Sequence, residues 1–472
     1  MSKKTTRRFS HQYVLSFLKK ALNEGGDHDF TSGNINRALL LLSIPMVLEM
    51  VMESLFAVVD VYFVAKVSVT AVATVGLTES VLMVVYSIAI GISMAATAMV
   101  SRRIGEKKPE AASKVAFQAI LLAIASSVVL GVIGLIYAKD ILRMMGGSEE
   151  LIAEGVNYTR ILMGGNMTIM LLFLINGIFR GAGDALLAMI ALWVANGLNL
   201  ILDPLFIFGW GPVPAMGVSG AAVATTIGRG VGVLLQFYIL FRKGNTIRLC
   251  KEVISVHWNT IRSLMKISLG GMGQFLIESA SWIFLIRIIS IFGDQALAGY
   301  TISFRIIVFT ILPSWGIANA AATLVGQNLG AGKPDRAEKS VWRSAFYNMI
   351  FLAFISLVFI YWAQEFVSLF THDAVVIQYG IQSLRIICLG YAFFAYGMVI
   401  SQSFNGAGDT RTPTLINFFC CWLFQIPLAY LMAVTFDMGP KGVFISIAIS
   451  LSILALLSIT LFKRGKWKEM KV

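Results

Sequence analysis

Twelve apolar runs follow one another between residues 37 and 462, separated by short polar breaks. The hydrocarbon core of a bilayer is about 30 Å thick, so a helix needs roughly 20 apolar residues to cross it. In lipid, such segments satisfy their backbone only as helices or closed barrels. The pattern predicts spans near 37–64, 70–101, 113–137, 156–180, 186–209 and 217–241, then 262–291, 296–326, 340–362, 380–404, 412–436 and 442–462. Only 13% of the residues are charged and 57% are hydrophobic, whereas soluble domains carry about 25% charged residues. That balance excludes a soluble enzyme and a disordered or fibrous chain.

The formal net charge is +13, and nucleic acid is the usual partner of so basic a chain. The position of the charges gives another reason. With the N-terminus placed in the cytoplasm and the spans alternating, the inside segments hold 29 Lys/Arg and the outside segments five. This is the positive-inside bias of a multi-pass protein of the plasma (inner) membrane with both termini cytoplasmic, and nucleic acid drops out as a partner. Four arginines, Arg229, Arg287, Arg305 and Arg385, fall within spans.

The expected organisation is a basic tail over 1–36, a first lobe over 37–242, a linker over 243–261, a second lobe over 262–463 and a short basic tail over 464–472. The chain is expected to act as a monomer. The first tail lacks the apolar core and cleavage site of a secretory signal. Phe9, Tyr13 and Phe17, flanked by Arg7, Arg8, Lys19 and Lys20, suit either a basic helix lying on an anionic membrane or a solvated tail. Cys250, Cys388, Cys420 and Cys421 form no CxxC pair, so metal or redox chemistry has little support.

The chain repeats itself at an offset of 225 residues. Ser43 meets Ser268, Glu53-Ser54 meets Glu278-Ser279, Gly91-Ile92 meets Gly316-Ile317, and Lys108-Pro109 meets Lys333-Pro334. Gly181-Ala182-Gly183-Asp184 meets Gly406-Ala407-Gly408-Asp409. Six crossings per unit return each unit to its starting side. The fold class is therefore an all-α membrane protein of two parallel six-helix repeats, and transporters built this way bind substrate between the halves.

An ionisable residue at the bilayer centre costs roughly 2.5–3.5 kcal/mol on insertion scales and needs a reason. Glu49, Glu53 and Asp60 are spaced four and seven apart, on one face of the first span. Asn199 and Asp203, four apart, share one side of the fifth, and Pro204 breaks the ladder beside them. Their hard oxygens suit Na⁺, and the same carboxylate could instead take a proton. The repeat partners of Asp60 and Asp203 are Leu285 and Leu428, so an ion site would belong to the first lobe alone. Arg305 either snorkels, lines the cavity or pairs with an acid. Pro45 can let the first span bend. Gly228 and Gly232 have a helix-packing spacing.

No HExxH or GxSxG occurs, so an enzyme is not expected. The nearest approach to a phosphate loop, Gly326 to Pro334, has the wrong spacing and lacks its Ser or Thr. Uphill transport would then draw on an ion gradient, with no cofactor beyond H⁺ or Na⁺.

Taken together, Ser43-Ile44-Pro45, Val59-Asp60, Asp203-Pro204-Leu205-Phe206, Phe304-Arg305-Ile306, Leu324 to Gly332 and the two Gly-Ala-Gly-Asp motifs resemble the multidrug and toxic compound extrusion (MATE) family from about residue 35 to 463. The resemblance implies two lobes around a V-shaped cavity and export of cationic amphipathic compounds in exchange for Na⁺ or H⁺. In DinF-like members it implies an ion site at Asp60, Asn199 and Asp203, with Thr225, or Thr226, joining them. In NorM-like members acids of the second lobe serve. Glu278 matches one of these, but Phe394 stands where the other would be, which favours the first-lobe site. Glu53, Glu278 and Arg305 are candidates for the substrate cavity. The alternative is a lipid-linked precursor flippase of related architecture.

Overall fold

The computed structural model describes residues 29–470 and 472. The aromatic and basic pattern over 7–20 lies outside the described residues. Ten helices are long and apolar enough to cross a membrane, and two bent pairs complete twelve spans. In chain order they are α1 (Ile35–Ala65), α2 (Val69–Gly105), α3 (Pro109–Met144), the pair α4 (Glu149–Gly164) and α5 (Asn166–Ala182), α6 (Ala185–Phe208) and α7 (Val218–Phe241). The second half holds α8 (Trp258–Ile289), α9 (Asp294–Gly330), α10 (Pro334–Tyr361), the pair α11 (Ala374–Leu389) and α12 (Tyr391–Ala407), α13 (Arg411–Thr435) and α14 (Pro440–Lys463).

The duplication is visible in how helices begin and end. Pro109 and Pro334 open α3 and α10 at the first helical position, where a missing N–H costs nothing. Gly183 and Gly408 close α5 and α12 in the left-handed conformation, at φ 94° and 88°, which favours glycine. The fourth and tenth spans differ from the expected straight helices over 156–180 and 380–404. They begin earlier and bend by 41° and 56° at Gly165 and Gly390, which are one position of the repeat. The eleventh span departs from the plain helix expected over 412–436 by running π-helical over Phe418–Gln425 and Leu431–Thr435. The first span passes through Pro45 as one helix.

One apolar cluster joins residues 64–267, and three others lie within 285–467. The lobes meet through glycine. A side chain at Gly91 of α2 would collide with Ser268 and Met272 of α8, and one at Gly316 of α9 with Met46 and Val47 of α1. Gly105 and Gly330 likewise lie against Gln327 and Arg102.

Both terminal segments cross between lobes on this same face. Lys333 Nζ donates to the Thr31 carbonyl at 2.8 Å, and Arg336 donates to the carbonyls of Gly33 and Ser32 at 2.8 and 2.6 Å. At the other end, Arg102 and Arg103 of α2 each donate at 3.1 Å, to the Met470 and Val472 carbonyls respectively. The Phe30 ring lies at Gly183 and the Val472 side chain at Gly408. The two straps therefore fill equivalent niches in opposite lobes.

Candidate ion-coupling site

Helix α7 lies close on α6 because glycine faces it. A Cβ at Gly228 would press on the Ala195 carbonyl and Asn199, and one at Gly232 on Ala195. This approach sets Thr225 against Asn199. With its amide oriented by its partners, Asn199 donates to Asp203 Oδ2 at 2.8 Å and accepts from Thr225 N at 2.9 Å and Thr225 Oγ1 at 3.0 Å. Thr226 turns away, bonding the Ala222 carbonyl beside Gly165. Of the two threonines left open by the sequence, Thr225 is the one that meets Asn199.

Asp203 is fully buried and Asp60 nearly so, and each keeps one oxygen, Oδ1, without a hydrogen-bond partner. The two carboxylates lie within electrostatic reach of each other. Neither forms an ion pair among the described residues. A buried carboxylate with an unbonded oxygen is costly unless it takes up a cation or a proton. No cluster of three or more His, Cys, Asp or Glu able to hold a metal occurs among the described residues. The Asn199 oxygen, the neutral ligand a sodium ion would want, is already occupied by Thr225.

The other acids sort differently. Glu49 accepts from Arg180 at 2.7 Å and Asn176 at 2.9 Å, a buried ion pair joining α1 to α5. Glu53 Oε2 accepts from Asn196 of α6 at 2.8 Å. Glu278 stands alone on α8 near Cys421 and the π-helical part of α13, with no bond to another side chain among the described residues. Arg305 of α9 is exposed and faces Glu79 of α2, also exposed, across the lobe boundary.

Two groups carry no role in the sequence reading. Arg229 of α7 is 4% exposed; its Nη1 donates to Tyr86 Oη at 3.2 Å, and its guanidinium lies over Phe56 at 5.5 Å. Tyr158 is buried within reach of Asp60 and Glu79. An arginine inside a span was the available signal for the first; nothing local marks the second.

Two six-span repeats and a polar site in one lobe define a multi-pass membrane transporter. The comparisons give the family. The MatE family model matches residues 45–205 and 272–431, and the chain belongs to that family. It is 28% identical to the probable multidrug resistance protein NorM of Thermotoga maritima, over 93% of this chain and 94% of that protein. It is 24% identical to the multidrug export protein MepA of Staphylococcus aureus, over 90% of this chain and 93% of that one. A structure described as the outward-facing conformation of a multidrug resistance MATE family transporter superimposes with a TM-score of 0.88 at 26% identity, covering 93% of this chain and 98% of the other.

Proposed function

We propose that this chain is a secondary antiporter of the plasma membrane that exports cationic amphipathic compounds in exchange for protons, with both termini in the cytoplasm. One observation carries the coupling: Asp60 and Asp203 are buried, mutually close, and each leaves one oxygen unbonded. Proton uptake would relieve that deficit and remove the repulsion between them. Occupation of the Asn199 oxygen by Thr225 favours H⁺ over Na⁺. Uptake at Asp60 would change how α1 packs on α6, and Pro45 gives α1 a place to bend. Glu53, Glu278 and Arg305 border the route between the lobes. Transport needs no catalytic residue and no cofactor beyond the coupling ion.

The test is export of a fluorescent organic cation from proteoliposomes. A pH gradient is expected to drive it and a Na⁺ gradient at constant pH is not. Asp203→Asn is expected to abolish the gradient-driven component. Export by that variant at the wild-type rate would overturn the reading.

A further inference from the structure

The straps at the two ends of the chain do no work for the helices they adjoin. Helix α1 already has its cap in Asn34, whose side chain accepts from Asn36 N at 2.9 Å, so residues 29–33 are not needed to start it. Helix α14 ends at Lys463, and Gly465, at φ 75°, turns the chain back. The straps join the lobes instead. Residues 30–33 precede the first lobe, but the cations that hold their carbonyls, Lys333 and Arg336, stand at the start of α10 in the second. The segment from Trp467 to Met470, with Val472, follows the second lobe, but Arg102 and Arg103, which hold the Met470 and Val472 carbonyls, stand at the end of α2 in the first.

Each strap is also wedged by a ring. Phe30 is buried in a cluster that contains Met46 and Ala185 of the first lobe and Ala320 and Leu324 of the second. Trp467 is fully buried and stacked on Phe462 with centroids 4.6 Å apart, and beside it Lys468 reaches Glu338 at 2.6 Å. Behind this face lies the hollow between the lobes, lined by Thr97 of α2, Arg180 of α5, Asn319 and Ala322 of α9, and Asn405 and Gly406 of α12. Opening the hollow toward the straps means parting the lobes here, and each of these strap bonds has one lobe on either side. The acceptors are neutral carbonyls at partly or fully exposed positions, not buried acids. Such bonds hold modestly and can re-form in every cycle, where a buried ion pair costs far more to break.

We infer that the two straps are a paired clasp: they hold the lobes together on this face, and the hollow opens to the cytoplasm only when both let go. The clasp thereby sets how often the cytoplasmic side is exposed. This rests on the export reading above for its topology and adds a control that neither the ion site nor the substrate supplies.

The test measures access from the cytoplasmic side in the full-length protein. Asn319→Cys places a thiol in the hollow, on a Cys250→Ser background whose remaining cysteines are buried. A membrane-impermeant maleimide is added to inside-out vesicles and, separately, to right-side-out ones. Lys333→Ala, Arg336→Ala and Arg103→Ala together remove donors from both straps. This variant is expected to label about tenfold faster than the wild type from the cytoplasmic side, the scale of losing charged donors from several hydrogen bonds, and no faster from the outside. Exchanging the same cations, Lys333→Arg with Arg336→Lys and Arg103→Lys, is expected to restore slow labelling. An alanine variant labelled at the wild-type rate from the cytoplasmic side, or faster from both sides alike, overturns the clasp. So does a cation-exchanged variant as fast as the alanine one. All of these outcomes leave the export reading standing; absence of pH-driven export by the wild type would overturn that reading and leave the clasp.

Discussion

Arg102 and Gln327 are one position of the repeat, and each donates across the lobe boundary to the end of the opposite lobe's Gly-Ala-Gly-Asp helix. Arg102 Nη2 reaches the Ala407 carbonyl at 3.3 Å, and Gln327 Nε2 reaches the Gly181 carbonyl at 3.1 Å. Helix ends expose carbonyls that need partners. Here the opposite lobe supplies them, so the bonds exist only while the two lobes are closed on this face.

Removing both donors should favour opening. A neutral hydrogen bond contributes about 0.5–1.5 kcal/mol and one to a charged group about 1.5–3. Arg102→Ala with Gln327→Ala is expected to raise amide exchange at 181–184 and 406–409 in the absence of substrate. Wild-type protection there would show that closure does not use these bonds.

The glycine contacts predict the same shift toward opening, produced by an added side chain instead of a removed one. Gly91→Val and Gly316→Val place side chains against backbone of the facing lobe, and overpacking of this sort costs about 1–3 kcal/mol. Each variant should insert normally, because its own lobe is untouched, yet populate the closed arrangement less. Amide exchange at 181–184 and 406–409, the helix ends that the facing lobe covers, should rise; unchanged exchange would refute the expectation.

Glu49 and Arg180 admit a swap test. Their repeat partners are Gln274 and Asn405, which form the neutral version of the same contact, Asn405 Nδ2 to Gln274 Oε1 at 3.2 Å. Arg180→Ala leaves a buried carboxylate without its cation and should cost about 3–5 kcal/mol. Glu49→Gln combined with Arg180→Asn copies the second lobe and should recover most of that loss in a thermal melt. A double variant no more stable than Arg180→Ala would mean that the charge itself is required.

The straps should hold at all physiological pH values. Asp29 accepts from Thr31 N and Oγ1 at 2.8 and 2.6 Å, and the Thr31 side-chain bond, foremost, draws its carboxyl below the usual range. A lowered acid contributes above its unfolded pKa and is lost only as pH falls through the folded value. Lys468 is raised, first by its bond to Glu338 at 2.6 Å. A raised base contributes fully below its unfolded pKa and is lost only as pH climbs through the folded one. Amide protection at 30–33 and 468–470, corrected for intrinsic rates, should stay level near neutrality, fall in acid for the first strap and fall in strong alkali for the second. A change centred near neutrality would show that another group controls them.

The spans, the duplication and the six-by-six arrangement were legible in the sequence because lipid imposes them locally. Each segment must be apolar for its whole length and must bond its own backbone. Position 165 and its repeat mate 390 were glycines in plain view, but a glycine permits a bend without requiring one; the packing of α4 and α11 chose it. The intramembrane acids were equally visible, and their roles were not. Glu49, Glu53 and Asp60 lie along one helix, yet the first meets an arginine, the second an asparagine and the third leaves an oxygen bare. Which partner each receives depends on how neighbouring helices are rotated and how closely glycine lets them approach. The same rotation turned Thr225 rather than Thr226 toward Asn199, set Arg229 between two aromatic rings without an acid, and carried the terminal straps across to opposite lobes. Charge and hydropathy belong to a residue and can be read in order along the chain. An unbonded oxygen on a buried carboxylate depends on several helices at once, and only their packing could create it.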